Sequence, residues 1–228
     1  MTQTTTESTA LVSFSPEQLA LEALAISQQI GSVGGDKISV KDGVFTLPDG
    51  RQSDTMDAVI VDFLFINEMY EGRYDPKKKA GPVCAALSIT ADGMVPRMDS
   101  PKLQVAAGTS CDACPMNQYG SAGTGKACKN TVALAITAPN ASGDSEMYIL
   151  KLAPTALTPF RKYVKGIAAS MQLPPYGVVT HFELDPAQSY PKILCSNPTK
   201  ERNPNLAETA ARRQDAAIRL SQLINFGS

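Results

Sequence analysis

The chain has 228 residues, of which 43% are hydrophobic and 19% are charged, and its formal net charge is −1. This composition is typical of a folded globular protein and excludes an intrinsically disordered chain. The balanced charge excludes a protein that is basic throughout, so any contact with nucleic acid must come from a local patch. The length predicts one main domain with a single core.

The first 35 residues are predicted to form a tail and one helix. Residues 1–13 are rich in Thr and Ser, which is typical of a mobile tail. Ser15 can cap a helix with Pro16 at its first position and Gln18 completing a capping box, and this helix should end near Ile30. No cationic start precedes an apolar segment, and no apolar stretch is long enough to span a bilayer, so we expect an intracellular protein.

The next segment has the pattern of paired strands. Residues 37–47 contain Asp42-Gly43, a dipeptide preferred in two-residue hairpin turns, between two short β-prone runs. Residues 57–67 are rich in β-branched and aromatic side chains. This second pattern predicts a central strand that is mostly buried on both faces.

Strands and helices continue in the second half of the chain. Thr158-Pro159 marks the start of one helix, and Asn205 with Glu208 marks the start of another. The predicted strands are 131–137 and 146–152, which form a hairpin, followed by 177–184 and 190–195.

We therefore predict an α+β fold with flanking helices and a β-rich core of the OB-like or Greek-key barrel type. The predicted divisions are the tail and helix of 1–35, a core of 36–200 and a C-terminal helix in 201–228. A loop-rich insert at about 75–130 interrupts the core, because this stretch is rich in Gly, Pro, Lys and Ser and has little periodicity.

Four of the five cysteines lie within this predicted insert. Two residues separate Cys111 from Cys114, a spacing that lets a tight turn direct two thiolates at one ion, and Cys84 and Cys128 can complete the set. Four thiolates leave no position for water, so such a site stabilises the fold and performs no hydrolysis. We predict a structural zinc ion held by Cys84, Cys111, Cys114 and Cys128.

The sequence leaves three alternatives to zinc open. An iron–sulfur cluster also takes four thiolates. The cysteines can instead be buried thiols without a metal, or Cys111 and Cys114 can form a redox pair, although Pro115 does not favour the helical context of such pairs. The fifth cysteine, Cys195, lies in an apolar run and is interpreted as a buried, inert thiol.

Residues 120–126 match the G-x-x-x-x-G-K pattern of nucleotide-binding loops. Such a loop also needs Ser or Thr after the lysine and a buried strand before it, and neither Ala127 nor residues 115–119 meet these needs. We expect the glycines to let the chain pass tightly between the flanking cysteines.

Catalytic groups are sparse in the sequence. His181 is the only histidine, and it lies in a strand-like run, where a structural role is favoured over a general base. No paired-carboxylate or Ser-His-Asp pattern accompanies it. We therefore expect a non-enzymatic protein.

The predicted insert is locally basic. Between positions 77 and 129, seven residues are basic and three are acidic. Single-stranded nucleic acid is commonly held by cationic grooves with aromatic stacking platforms. The predicted nucleic-acid-binding residues are Tyr70, Arg73, Tyr74, Lys77, Lys78, Lys79, Lys126 and Lys129. The alternative is that the lysine triplet belongs to a solvated loop.

The cysteine block resembles that of a group of bacteriophage and prophage proteins. The shared pattern is Cys-x-x-Cys-Pro-x-Asn-x-x-Gly-Ser at 111–121, followed by Gly-Lys-x-Cys-Lys at 125–129. Residues 74–76, 173–180 and 190–192 are also similar to that group. The resemblance implies a phage protein associated with replication, of the single-stranded-DNA-binding type, in the cytoplasm of a bacterial host cell.

These observations predict a non-enzymatic single-stranded-DNA-binding protein of phage replication or recombination that carries a structural metal. Its expected partners are single-stranded DNA and replication or recombination proteins, with neither a membrane nor a small-molecule substrate. The alternative function is a zinc-stapled structural or protein-interaction module.

Overall fold

The computed structural model describes residue 15 and residues 36–72, 80–141 and 146–226. The chain divides into two compact units, Met1–Gly35 and Asp36–Ser228. Apart from Ser15, the predicted tail and first helix lie outside the described residues. None of the helices that the structure describes is long and apolar enough to cross a bilayer.

The second unit is a strand-dominated α+β structure, as the sequence predicts, and its sheet is curled into a half barrel. The strands are β1 (Lys37–Lys41), β2 (Val44–Thr46), β3 (Gln52–Ser53), β4 (Thr55–Met69), β5 (Cys84–Ser88), β6 (Lys129–Thr137), β7 (Tyr148–Leu152), β8 (Thr180–Leu184) and β9 (Ile193–Ser196). Their order is β3-β2-β1-β7-β6-β4-β8-β9, and β5 also pairs with β4.

The fourth strand, β4, lies at the centre of the sheet and includes the predicted central strand. One of its edges pairs with β6, while β8 and β5 pair with its beginning and its end. The register with β6 shifts between Ile60 and Asp62. Such a β-bulge bends a strand and increases its twist, so it contributes to the curl of the sheet.

Local turn chemistry accounts for the hairpin of β1 and β2. Both turn residues have a positive φ, 53° for Asp42 and 79° for Gly43. A two-residue turn that matches the twist of the strands requires this geometry, and Asp-Gly supplies it at low cost. The predicted hairpin of β6 and β7 is also present, and the two later predicted strands, β8 and β9, pair with each other, both antiparallel.

Helices cover both faces of the sheet. They are α1 (Leu157–Met171), α2 (Leu206–Ala211) and α3 (Arg213–Ser221). Alternate residues of a strand point to opposite faces, so β6 places Leu134 in the core that contains Phe160 of α1 and Ala135 in the core that contains Leu220 of α3.

The helix starts agree with the predicted positions in one case of two. A 3-10 turn at Pro154–Ala156 already leads into α1, which therefore begins before Thr158. The side chain of Asn205 makes no capping bond to α2 and donates instead to the carbonyl of Ala141, at 2.9 Å. The predicted start at Thr158 is therefore wrong by one residue, because the preceding 3-10 turn leads directly into the helix. The predicted start at Asn205 is confirmed in position, although its side chain does not cap the helix.

The chain between β5 and β6, residues 89–128, is called the insert below. Its only regular structure is two single 3-10 turns, Cys111–Ala113 and Pro115–Asn117. Its buried residues are Met94, Pro96, Ser100, Cys111, Cys114, Asn117 and Cys128. Three of these seven are cysteines, so the insert has almost no apolar core of its own.

Candidate metal centre and nucleic-acid cleft

The four predicted metal ligands line one small cavity. Cys84, Cys111, Cys114 and Cys128 are buried and free of disulfides. The cavity between them has a volume of about 10 Å³ and also touches Asn67. A space of this size holds about one water-sized sphere.

The side chains are not arranged around an ion in this structure. Among the described residues, no group of three or more His, Cys, Asp or Glu side chains has an arrangement that could hold a metal. The zinc site therefore stays a prediction, while the shared cavity shows that the fold brings its four predicted ligands together.

The backbone places the four cysteines on three segments. Cys84 begins β5, opposite Met69 of β4. Cys111 and Cys114 form a tight turn in which the N–H of Cys114 donates to the carbonyl of Cys111, at 3.2 Å. Cys128 ends the insert, and its N–H donates to the carbonyl of Met116, at 2.9 Å.

Polar residues of the motif hold this turn in place. The amide of Asn117 donates to the carbonyl of Cys111 at 3.0 Å, and the amide of Gln118 donates to that of Asp112 at 2.8 Å. The Ser121 hydroxyl donates to the carbonyl of Met116 at 2.9 Å and accepts from the N–H of Ala127. The motif around the cysteines thus consists largely of side chains that shape the backbone.

Burial weakens the acidity of two of the four thiols. The pKa of Cys128 is raised to about 12, mainly by burial and also by the charges of the other three cysteines, with Lys126 acting in the opposite direction. Burial also raises the pKa of Cys111, although a hydrogen bond with the Asn67 side chain opposes this. Because a thiolate is the reactive form, the raised pKa of Cys111 argues against this residue as the reactive thiol of a redox pair.

The glycine loop at 120–126 folds back on itself. The N–H groups of Gly120 and Ala122 both donate to the carbonyl of Gly125, at 3.0 and 3.2 Å. The loop leads through Cys128 into strand β6 and not into a helix. A phosphate-binding loop presents free N–H groups at a helix start, so the structure agrees with a tight connection between cysteines.

A larger open cleft of about 580 Å³ lies beside the cysteine cavity. The sheet, the insert and the start of α1 all contribute to it, and it is called the cationic cleft below. Its charged residues are three cations and two carboxylates: Lys126, Lys129, Arg161, Asp92 and Asp112. Phe65, Asn67 and Tyr119 also line it.

The two lysines of the cationic cleft have no carboxylate partner among the described residues. Lys126 Nζ donates to Asn130 Oδ1 at 3.1 Å, and Lys129 Nζ donates to the carbonyl of Lys126 at 2.9 Å. Arg161 lies 3.8 Å from Asp92, whose side chain is 94% exposed. An exposed pair of this kind contributes little energy, so all three cations can turn toward an incoming anion.

Two aromatic rings lie next to these cations. Lys126 Nζ is 5.2 Å from the centre of the Tyr119 ring, and the Arg161 guanidinium is 5.4 Å from that of Phe65. Tyr119 is 82% exposed, whereas Phe65 is 8% exposed. Tyr119 is therefore the ring that an incoming base could reach.

The other predicted binding residues are placed differently or not described. Arg73, Tyr74, Lys77, Lys78 and Lys79 lie outside the described residues.

Tyr70 directly follows β4, and its hydroxyl donates to Glu68, at 3.4 Å. Glu68 and Asn67 are neighbours in the strand and point to opposite faces. Since Asn67 lines the cationic cleft, the structure does not bring Tyr70 into it.

A second open cleft, of about 780 Å³, has the opposite character. Carboxylates dominate its charged residues, which are Lys41, Asp42, Asp54, Glu183 and Asp185. Such a surface repels phosphates, which makes this second cleft a natural comparison for the cationic one.

His181 forms a cross-strand pair with an aspartate. Its Nδ1 lies 2.7 Å from Asp57 Oδ1, and the two residues are opposite each other in the register of β8 and β4. The pair bridges two neighbouring strands, which agrees with the structural interpretation of this histidine.

Sequence reasoning missed several cleft residues. Asn67 and Asn130 are partners in the register of β4 and β6, and both bond within one amide cluster that includes Asn117. Arg161 joins them only because α1 docks there. No local signal marks these three positions, since their proximity depends on strand register and helix packing.

No protein-family model, curated protein or solved structure matches this chain.

Proposed function

We propose that this chain is a non-enzymatic single-stranded-DNA-binding protein of phage replication or recombination, with an OB-like β core and a structural metal. The observation that carries the proposal is the convergence of Lys126, Lys129 and Arg161 beside the exposed Tyr119 in one open cleft. Cations next to a stacking ring are the combination that single-strand-binding grooves use.

The cations supply the sequence-independent part of binding. Each phosphate that a lysine or arginine neutralises releases condensed counterion, so affinity falls as salt rises. Lys126 and Lys129 are held by amide and carbonyl oxygens and not by described carboxylates. Little ion pairing has to be broken before they bind phosphates.

The aromatic ring favours a single strand over a duplex. A base can stack on Tyr119 only when it is free of its neighbours, as it is in a single strand. Each base stacked in this way contributes about 1–3 kcal/mol.

The β core supports the same proposal. OB-fold barrels bind oligonucleotides on the face of a small curved sheet with flanking loops. The half-barrel sheet, the long bent strand β4 and the insert beside the cleft agree with a barrel of this kind.

The direct test measures binding of a fluorescent oligo-dT strand by anisotropy at several salt concentrations. Wild-type protein should bind, with log affinity falling against log salt by about 0.7 per phosphate contact. The double change Lys126→Ala and Lys129→Ala should weaken binding and flatten this slope. The matched control is Lys41→Ala, which removes an exposed cation from the acidic second cleft and should leave both quantities unchanged.

Two outcomes would contradict the proposal. One is no binding of the strand by wild-type protein at low salt. The other is a double lysine variant with the affinity and the salt slope of wild type. A preference for duplex DNA of the same length would show that the cleft binds nucleic acid but would refute the proposed selectivity for single strands.

A further inference from the structure

The cysteine cavity lies where three parts of the chain meet. Cys84 belongs to the sheet, Cys111 and Cys114 to the tight turn, and Cys128 to the end of the glycine loop. Four buried thiols at the meeting point of these segments are unusual in a region with so little apolar burial. A bound ion would tie the segments together.

From this geometry we infer that the four cysteines bind one Zn²⁺ ion, and that this ion holds in place the wall of the cationic cleft that carries Tyr119 and Lys126. The first half stands on the cysteine cavity alone. The second half also rests on the proposed DNA-binding function of the cleft.

The size of the cavity selects a single ion. It measures about 10 Å³, room for one water-sized sphere. A tetrahedral zinc site needs four sulfurs about 2.3 Å from one centre, so the four side chains would turn toward one point of this cavity on binding. An iron–sulfur cluster contains several iron and sulfide atoms and would need the segments to move apart.

A zinc ion bound by four thiolates has a net negative charge, and groups beside the cavity can stabilise it. Binding exchanges the four thiol protons for one Zn²⁺, so the complex carries two negative charges and four protons leave to solvent. The Asn67 side chain lines the cysteine cavity, and Lys126 lies two residues before Cys128 in the chain. Partners of this kind orient and stabilise metal ligands.

Asn117 connects the metal site with the cleft. Its amide nitrogen donates to the carbonyl of Cys111, while its amide oxygen accepts from Asn130 at 2.9 Å and from Lys126 at 3.4 Å. Asn117 and Cys128 line both the cavity and the cleft. Loss of the ion should therefore release the residues that hold Lys126.

The first experiment measures metal in the purified full chain by elemental analysis. We expect one zinc per chain, and cobalt exchanged into the site should show the absorption of tetrahedral thiolate coordination. Cys114→Ser should lose the stoichiometric metal. The matched control Cys195→Ser changes the cysteine of β9, which lies outside the cavity, and should keep it.

The second experiment measures hydrogen exchange in the wall of the cationic cleft, in the absence of DNA. Removing the metal from wild-type protein with a chelator should raise hydrogen exchange of amides in 115–128 at least tenfold, while those of β6 and β7 stay protected. Because it uses wild-type protein, this measurement is informative even if Cys114→Ser fails to fold.

The third experiment repeats the oligo-dT measurement on chelated protein, where affinity should fall at least tenfold and return when zinc is added.

Absence of metal, iron with sulfide, or full zinc in Cys114→Ser would overturn the zinc site. Unchanged hydrogen exchange after chelation would refute the inference that the ion holds the cleft wall in place. A zinc protein with the expected exchange that never binds DNA would refute the proposed function and leave the metal inference standing.

Discussion

Leu134 in the sheet and Asn117 in the insert are both buried, but they are held by different interactions. Leu134 is fully enclosed by apolar side chains from β4 and α1, so its burial is driven by the hydrophobic effect. Asn117 is enclosed by carbonyl and amide groups to which it bonds. The sheet is therefore stabilised by apolar packing. The insert is stabilised by a small number of specific polar contacts and by its cysteines.

This difference predicts that core changes in the sheet have the largest effect. Phe182→Ala removes a side chain of β8 with no exposed surface and should lower the free energy of unfolding by about 3–5 kcal/mol. Urea denaturation followed by circular dichroism measures this. Ile218→Ala, at a half-exposed position of α3, is the control and should change stability by less than about 0.5 kcal/mol.

A polar change in the insert should have a smaller and local effect. Asn117→Ala removes one hydrogen bond to the carbonyl of Cys111 and one from the amide of Asn130, while the N–H of Cys114 and the side chain of Asn67 still bond to these two groups. Each lost hydrogen bond costs about 0.5–1.5 kcal/mol. Hydrogen exchange should rise in 115–128 and not in β6 or β7. The control is Gln214→Ala on the exposed side of α3. Equal loss of protection in sheet and insert would show that the two regions unfold as one unit.

The sheet was the part of the fold most open to prediction. The Asp42-Gly43 hairpin and the apolar run of β4 depend on neighbours in sequence, which a local pattern records. The pairing of β5 with the end of β4 depends instead on a contact that neither strand's local pattern records. The helix start expected at Thr158 was overridden by the 3-10 turn before it.

Part of the candidate site could likewise be predicted from local sequence, and part of it depends on tertiary packing. The cysteine spacing predicted a cluster because metal ligation imposes its own sequence pattern. The cleft residue Arg161 lies far along the chain from Lys126, and only the docking of α1 joins them. Tyr70 shows the reverse error: it is near the predicted basic stretch in sequence, but the alternation of β4 places it on the face opposite Asn67.

The placement of these two tyrosines gives a third prediction. Tyr119→Ala should weaken oligo-dT binding by about 1–3 kcal/mol and leave the salt slope nearly unchanged, because a stacking face is lost but no charge. Tyr70→Ala is the matched variant and should bind almost as wild type. A larger loss of affinity for Tyr70→Ala than for Tyr119→Ala would place the binding surface at the end of β4 and refute binding in the cationic cleft.

The smallest expected effect is that of removing one carboxylate from an ion pair, and each region offers one such pair. Lys192 donates to Asp185 at 2.9 Å across the connection of β8 and β9, with side chains 22% and 15% exposed. The corresponding pair in the insert, Arg97 with Asp99, is more exposed, at 35% and 59%. A hydrogen bond from the basic partner lowers the pKa of Asp185 and of Asp99.

A lowered pKa in the folded state means that the carboxylate stabilises the fold above the pKa of the unfolded chain, near 3.9. That contribution is lost as pH falls from about 4 through the lower folded value. Asp185→Asn should therefore decrease the urea midpoint slightly at pH 7 and have less effect at pH 3. Asp99→Asn should change it less at either pH, because solvent screens the more exposed pair. A larger effect for Asp99 would mean that polar contacts in the insert stabilise the whole chain, so that sheet and insert are energetically one structure.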